Sequence, residues 1–300
     1  MKKSKNQPSL FDLVPQEKRE VSESEVPVVV IFDTETTGIE KEDRIIQVGA
    51  IIEDLNGKLV EKGIYDELCS SAEPIKIEAM LIHGIRQDRL EGKPPFIQSA
   101  FFIKLNTLNT EANYLIAHNL DFDFNMLKKE GFENRMQCID TLQCAKHLFE
   151  VGDEVNGYKV PNHKLQSFRY MMFSQDEEEA AAKKYGVEIK AHDAIGDVVI
   201  LKLFFERLKE RATAKFQLKS NREIIDKLVE LTKLPVEVKV INFGKHKGKS
   251  IAEIEKIDAG WITWLHREQK KQKESQDPKF NKDLFYTLEK VIQRRSGARS

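Results

Sequence analysis

Four carboxylates and one imidazole stand in three short, widely separated segments, each on or beside a strongly apolar run. These residues are Asp33, Glu35, Asp123, His192 and Asp197. Ionised carboxylates repel one another and lose hydration when they cluster beside a core, unless positive charge offsets both costs. A pair of hard divalent cations is the natural counter-charge, because such ions prefer oxygen ligands. The typical work of such a pair is the cleavage of a phosphodiester.

The elements around these residues explain how they could meet. A continuous apolar run at residues 28–32 predicts a buried strand, and residues two apart at its end, Asp33 and Glu35, face the same side. Asp123 follows a second predicted strand, residues 114–117, where a helix begins. Asp197 lies in the first turns of a long amphipathic helix predicted at residues 191–208. His192 and Asp197 can aim into one pocket if His192 still belongs to the loop before that helix.

Each of these residues also has an ordinary structural explanation when it is taken alone. Asp33 could be a turn residue, Asp123 a helix cap, and His192 a hydrogen-bonded loop histidine. Their order and their particular neighbours favour a common catalytic site over three independent coincidences.

The three segments resemble the motifs of the DnaQ-like, or DEDDh, 3′→5′ exonucleases, which include the epsilon subunit of DNA polymerase III and exodeoxyribonuclease X. Phe-Asp-Thr-Glu-Thr-Thr-Gly matches the first motif, Ala-His-Asn-x-x-Phe-Asp the second, and His-Asp-Ala-x-x-Asp the third. The second motif selects Asp123 rather than Asp121, and the third marks the histidine subtype. The resemblance covers about residues 26–208. It implies an α/β, ribonuclease H-like fold with a mixed five-stranded sheet flanked by helices.

The resemblance also implies a mechanism. Its four carboxylates would hold two Mg²⁺ or Mn²⁺ ions roughly 4 Å apart across the scissile phosphate. His192 would take the proton of the attacking water, since an ordinary imidazole titrates near neutrality. Nucleoside 5′-monophosphates would then leave a DNA 3′ end, in proofreading or repair. Two alternatives remain open: a 3′→5′ exoribonuclease, since the sequence does not separate the sugar types, and a non-catalytic protein that tethers DNA to a clamp.

Two further positions, His83 and Glu78, match substrate contacts of the same family. Ile-His-Gly-Ile at residues 82–85 resembles the family's Val-His-Gly-Ile and would place His83 near the terminal nucleotide, with Glu78 near the 3′ hydroxyl. Thr34, Thr36 and Gly38 would contact the same nucleotide. The alternative for His83 and Glu78 is a surface helix and its cap.

The net charge of −1 is unevenly distributed along the chain. Residues 211–300 carry 21 Lys and Arg against 12 Asp and Glu, so residues 1–210 carry a net charge of −10. We predict a nuclease domain at 26–210, a helical connector at 211–235 and a small basic α+β module at 236–300, with a strand at 236–243. A basic tail could hold a polyanion, although a solubilising tail has the same composition.

A basic turn marks this C-terminal module. Phe-Gly-Lys-His-Lys-Gly-Lys at residues 243–249 resembles the C-terminal module of exodeoxyribonuclease X-like proteins, and it is one residue too short for a phosphate-binding P-loop. Two glycines let the turn approach a phosphate, so Lys245, Lys247 and Lys249 are candidates for binding DNA.

Residues 1–25 are polar and are expected to form a disordered arm without a secretory signal. Within the arm, Gln7, Leu10 and Phe11 resemble the Gln-x-x-Leu-Phe peptides that dock into the bacterial sliding clamp. A clamp or a DNA polymerase is therefore a candidate partner. The sequence has no run of 18 apolar residues, so no membrane span is expected, and its three cysteines favour a reduced, cytoplasmic location.

Overall fold

The computed structural model describes residues 26–189, 193–275, 277 and 279–297. At its centre is a five-stranded sheet in the order β3-β2-β1-β4-β5. Its strands are β1 (Val28–Thr36), β2 (Ile45–Asp54), β3 (Leu59–Leu68), β4 (Tyr114–Ala117) and β5 (Gln137–Asp140). The pairs β1–β2 and β2–β3 are antiparallel, whereas β1–β4 and β4–β5 are parallel. The predicted mixed five-stranded sheet is confirmed.

The apolar run of β1 is buried on both faces. Val29 and Ile31 belong to one hydrophobic cluster, and Val30 and Phe32 belong to the other. Helices cover both faces of the sheet, as expected where a central strand is apolar at every position. Since β1, β4 and β5 run in the same direction, the residues at their carboxyl ends meet at one edge of the sheet.

The described residues form eleven α-helices and a small hairpin that the sequence patterns did not predict, β6 (Glu154–Val155) with β7 (Tyr158–Lys159). The helices are α1 (Ile77–His83), α2 (Ala100–Leu108), α3 (Leu120–Lys129), α4 (Thr141–Leu148), α5 (Leu165–Met172), α6 (Gln175–Tyr185), α7 (Ala194–Phe216), α8 (Asn221–Lys233), α9 (Ile251–Ile257), α10 (Ala259–Glu274) and α11 (Lys282–Gly297). No helix among the described residues is both long and apolar enough to cross a bilayer.

The first turn of α7 rests directly on β2. A Cβ atom built on Gly49 would lie 2.4 Å from both the carbonyl carbon of Ala194 and the amide nitrogen of Ile195, so only glycine allows this approach. The side chain of Gln47, two residues earlier, donates a hydrogen bond of 2.6 Å to Asp193 at the N-terminal boundary of α7. β2 therefore fixes where the helix begins.

The segment predicted as a connector is helical, and it packs into the main core. α8 contacts α4, α7 and β5, and Ile225, Leu228, Val229 and Leu231 are buried in the same cluster as Val29 and Ile31. This packing joins the helix to the sheet domain.

The strand predicted at residues 236–243 was wrong. A single bridge pairs Val240 with Ser250, and the rest of the segment has no strand partner among the described residues. The chain reverses through a short 3₁₀ turn, Gly244–His246, so that Lys239 and Ile241 exchange backbone hydrogen bonds with residues 248–251 but no strand ladder forms. A strand requires a longer partner to satisfy its backbone groups, and the C-terminal module is therefore mainly helical.

The C-terminal module has its own core and is fixed to the nuclease domain by a buried carboxylate. Its core residues are Ile241, Ile251, Ile254, Ile262, Leu265, Leu284, Leu288 and Val291. Asp283 accepts hydrogen bonds from Gln143 at 2.9 Å, from Lys146 at 2.7 Å and from the backbone N–H of Val236 at 2.9 Å. Since Gln143 and Lys146 lie on α4, this carboxylate joins the two parts of the chain.

Candidate active site

Three of the four predicted carboxylates converge at the carboxyl edge of the sheet. β1 presents Asp33 and Glu35 on one face, and the first turn of α7 brings Asp197 to them. One carboxylate oxygen from each of these residues lies within 4.8 Å of the other two. All three side chains are half-buried, so they form a shared pocket and not a solvated acidic surface.

Asp123 lies beside this trio, in the first turn of α3, and is buried with 3% of its surface exposed. Its Oδ1 accepts a hydrogen bond of 2.7 Å from the Thr34 hydroxyl. The charge of Asp123 is also one of the causes that raise the pKa of Asp33. The fourth predicted carboxylate therefore belongs to the same edge, although it is not part of the tight trio.

The electrostatics of the pocket disfavour negative charge. Burial raises the pKa of Asp33 well above its ordinary value, and the charges of Asp123, Glu35 and Asp197 raise it further. Burial, followed by Asp197 and Asp123, raises the pKa of Glu35 to about 8. Burial also raises the pKa of Asp123 to about 7, although the hydrogen bond from Thr34 opposes this change. A nearby cation would reverse the preference for protonation.

This donor set fits a hard divalent cation. The trio offers only carboxylate oxygens, which are the ligands that Mg²⁺ and Mn²⁺ prefer. Oxygens within 4.8 Å of one another can reach a common ion at the roughly 2.0–2.6 Å that such ligands adopt. The repulsion between the carboxylates is the cost that a bound cation would remove.

Two residues that the sequence patterns did not identify hold the site in place. Gln166 on α5 donates a hydrogen bond of 2.8 Å to Asp197, and Gln47 on β2 anchors the start of α7. Gln47 had a visible signal, since it is the one polar side chain in the first eight residues of β2. Gln166 had none, because its partner is 31 residues away along the chain.

The predicted substrate contacts lie in and around the loop that follows β1. The Thr36 hydroxyl donates to the carbonyl of Gly38 at 2.7 Å. His83 is buried, its Nε2 lies 3.2 Å from the Thr36 carbonyl, and its Nδ1 accepts from the Ile85 N–H at 3.0 Å. Glu78 is exposed in the first turn of α1. The Thr36 and His83 side chains thus hold the loop in place, whereas Glu78 is open to a ligand.

Several predicted residues lie outside the described part of the chain. They are His192, Gln7, Leu10 and Phe11. α7 begins at Ala194, three residues later than predicted, with Asp193 at its N-terminal boundary. The roles assigned to His192 and to the clamp-binding peptide stay predictions.

The basic turn of the C-terminal module is well defined. Gly244 and Gly248 have φ angles of +60° and +87°, the left-handed region that glycine adopts at no steric cost. Lys245 forms an ion pair of 2.7 Å with Asp258, and Lys247 and Lys249 have exposed side chains. The turn therefore presents cations to solvent beside a fixed backbone.

Two family profiles match the chain. The profile described as "Exonuclease" matches residues 30–205, and the profile described as "Exodeoxyribonuclease X-like C-terminal" matches residues 241–269. The first covers the sheet and the carboxylate trio. The second covers the basic turn, α9 and the first part of α10.

The chain is similar both to a DNA polymerase III subunit epsilon and to an exodeoxyribonuclease. The DNA polymerase III subunit epsilon of Buchnera aphidicola subsp. Schizaphis graminum is 36% identical over 138 residues, which cover 40% of this chain and 56% of that protein. Exodeoxyribonuclease 10 of Escherichia coli K12 is 23% identical over 239 residues, which cover 78% of this chain and 89% of that protein. The structure of exonuclease X in complex with 5′ overhanging duplex DNA has a TM-score of 0.44, with 19% identity, over 68% of this chain and 99% of that chain. The chain thus spans just over half of the epsilon subunit that it matches.

Proposed function

Because the chain belongs to the exonuclease family, we propose that it is a 3′→5′ exodeoxyribonuclease that releases nucleoside 5′-monophosphates from DNA 3′ ends in proofreading or repair. The convergence of Asp33, Glu35 and Asp197, with Asp123 beside them, carries the proposal. The family depends on divalent metals, and we propose two Mg²⁺ ions for this chain. The names of the two relatives support DNA as the substrate.

Each residue has a distinct role in this proposal. The four carboxylates would hold the ions, which when bound activate a water and stabilise the leaving 3′ oxygen. Thr34 and Gln166 orient two of these carboxylates by donating hydrogen bonds to Asp123 and Asp197. His192 would accept the proton of the attacking water, since an ordinary imidazole titrates near neutral pH.

The direct test is a digestion assay on a 5′-labelled DNA oligonucleotide with Mg²⁺. We expect stepwise shortening from the 3′ end, release of mononucleotides, and complete loss of both in excess EDTA. Asp33→Asn should abolish the activity while circular dichroism shows an unchanged fold. Asp121→Asn is the matched control, because Asp121 is exposed in the same first turn of α3 as Asp123. Full activity of Asp33→Asn would refute the proposal.

The two alternatives are separated by simple comparisons. Matched DNA and RNA oligonucleotides that contain only A, C and G distinguish a deoxyribonuclease from an exoribonuclease, because such oligonucleotides differ only in the 2′ hydroxyl. A protein that only tethers DNA would bind the oligonucleotide without shortening it at any Mg²⁺ concentration.

We also propose that residues 26–210 form the catalytic domain and that residues 236–300 bind DNA through Lys245, Lys247 and Lys249. A DNA polymerase is a proposed partner, because one relative is named as a polymerase subunit. A sliding clamp is a second proposed partner. A pull-down with purified clamp should retain the chain and lose it after combined Leu10→Ala and Phe11→Ala substitution. A cytoplasmic location stays a prediction.

A further inference from the structure

The C-terminal module carries an exposed aromatic surface next to its basic turn. Phe243 immediately precedes the turn, and Trp261 and Trp264 lie on α10. The ring centroids of Phe243 and Trp261 are 6.2 Å apart, and those of Trp261 and Trp264 are 6.4 Å apart. Trp264 is 53% exposed and Phe243 is 41% exposed. We call these three residues the aromatic platform.

Contacts of Asp258 bring the basic turn and the start of α10 together beneath the aromatic platform. Asp258 caps α10 by accepting from the Trp261 N–H at 3.1 Å, and its other oxygen binds Lys245 at 2.7 Å and His246 at 2.9 Å. The centroids of the His246 and Trp261 rings are 4.8 Å apart, and the two rings pack edge to face. One carboxylate therefore joins the basic turn to the start of α10, which places Phe243 beside the two tryptophans.

Exposed cations flank the residues of the aromatic platform along the chain. Lys247 and Lys249 are exposed in the turn after Phe243, while Arg267 and Lys271 follow Trp264 by three and seven residues. Those helical spacings place Arg267 and Lys271 on the same side of α10 as Trp264. Residues 236–300 carry 15 Lys and Arg against 9 Asp and Glu. A ligand that complements this surface has planar apolar groups along an anionic backbone.

We propose that the aromatic platform binds single-stranded DNA by stacking unpaired bases on Phe243 and Trp264, while the flanking cations bind its phosphates. A duplex conceals the faces of its bases, so stacking on exposed rings requires an unpaired strand. The choice of DNA as ligand rests on the proposed exonuclease function. The proposal extends that function by giving the C-terminal module a preference for single-stranded ends.

The sequence supplies an optical probe for this test, because Trp261 and Trp264 are the only tryptophans in the chain. We would titrate the full-length protein with an oligonucleotide of twenty thymidines in excess EDTA, which prevents hydrolysis. Saturable quenching of tryptophan fluorescence is expected. A blunt duplex of equal length should quench weakly, and quenching as strong as that of the single strand would overturn the proposal.

Substitutions distinguish base stacking from general electrostatic attraction of the DNA. Trp264→Ala should weaken binding of the labelled oligonucleotide about tenfold, measured by fluorescence anisotropy, because stacking of one base contributes roughly this much. Trp264→Phe should keep most of the affinity, which also shows that the fold is intact. Tyr158→Ala is the matched control, since Tyr158 is 60% exposed on the β6–β7 hairpin, and it should leave the affinity unchanged. Unchanged affinity in Trp264→Ala would overturn the proposal.

The two proposals fail in different ways. Mononucleotide release without tryptophan quenching would leave the exonuclease function standing and remove the aromatic platform as a DNA site. Quenching without any metal-dependent digestion would keep the aromatic platform and refute the exonuclease function.

Discussion

Thr34 links the two sides of the carboxylate site through the alternation of β1. Asp33 and Glu35 point to the side of the sheet that α7 covers, as Val29 and Ile31 do. The Thr34 side chain points to the opposite side and binds Asp123 of α3. β1 therefore orients carboxylates on both sides of the sheet. This arrangement follows directly from the two-residue period of a strand.

Thr34→Val should lower the apparent affinity for Mg²⁺ in the digestion assay by about 10- to 100-fold, the typical effect of losing a group that orients a metal ligand. The shape of the side chain is kept, but Asp123 loses its hydrogen bond. Rates measured across a Mg²⁺ titration check this expectation. Thr34→Ser is the control, because it keeps the hydroxyl and should behave like the parent protein. The same Mg²⁺ dependence in the parent, Thr34→Val and Thr34→Ser would contradict the prediction.

The raised pKa of Glu35, about 8, makes the metal-free protein sensitive to pH. The folded state binds this proton more tightly than the unfolded chain, so stability falls as the pH rises from about 4.5 to about 8. Glu35→Gln removes the titration and should raise the melting temperature in EDTA at pH 8.5, with a smaller effect at pH 5. Mg²⁺ should stabilise the parent protein at pH 8.5. Glu111→Gln, at an exposed position, is the control, and a pH-independent effect of Glu35→Gln would contradict the prediction.

At the scale of elements, the site depends on how closely α7 approaches β2. Gly49 lies opposite Asp33 in the β1–β2 pair, and its missing side chain is what allows the first turn of α7 to reach the sheet. That turn carries Asp197, which completes the trio with Asp33 and Glu35. A glycine outside the three motifs therefore determines the spacing of the carboxylates.

Gly49→Ala should lower the free energy of unfolding by about 1–3 kcal/mol, the usual cost of overpacking, and should lower the rate of digestion. The added methyl group would displace α7 and carry Asp197 away from its partners. Urea denaturation and the digestion assay measure the two effects. Gly260→Ala is the matched control on α10, where a Cβ would meet its nearest atom at 3.8 Å, and it should be neutral or slightly stabilising. Parent-like activity in Gly49→Ala would contradict the prediction.

At the scale of the whole molecule, the carboxylate trio lies in the nuclease domain and the basic turn lies in the C-terminal module. Each of these parts has its own hydrophobic core, and Asp283 joins the two parts. Burial opposes ionisation of Asp283, but hydrogen bonds from Lys146 and Val236 outweigh this and keep the pKa of Asp283 below its ordinary value. Asp283 therefore remains a charged acceptor between α4 and the C-terminal module at neutral pH. Asp283 thus joins the module that carries the basic turn to the nuclease domain.

Combined Lys247→Gln and Lys249→Gln substitution should weaken binding of single-stranded DNA at low salt. The plot of log affinity against log salt concentration should become shallower by about 1.4, since each phosphate contact on a single strand contributes a slope of about 0.7. Anisotropy titrations in EDTA at several salt concentrations measure this slope. Lys58→Gln with Lys62→Gln, at exposed positions on and before β3, is the control pair, and an equal slope in all proteins would contradict the prediction.

The sequence by itself predicted the sheet and most of the helices around it, and it singled out the three carboxylates that lie together at the edge of the sheet. The run at residues 28–32 and the Asn56-Gly57 turn are local patterns, so β1, β2 and β3 followed from them. The prediction of a strand at residues 236–243 was wrong because a local pattern does not show whether a partner strand is present. Its alternation was also local, but a strand forms only where a partner lies beside it, and Val240 has a one-residue partner.

Only the tertiary structure decided how the site is held together. The contacts of Thr34 with Asp123, Gln166 with Asp197 and Gly49 with α7 join residues that are far apart in the chain. The packing of α8 into the main core and the aromatic platform also depend on such distant contacts. Residue types and local periodicity report which groups can do chemistry, whereas long-range packing sets their distances, burial and pKa values.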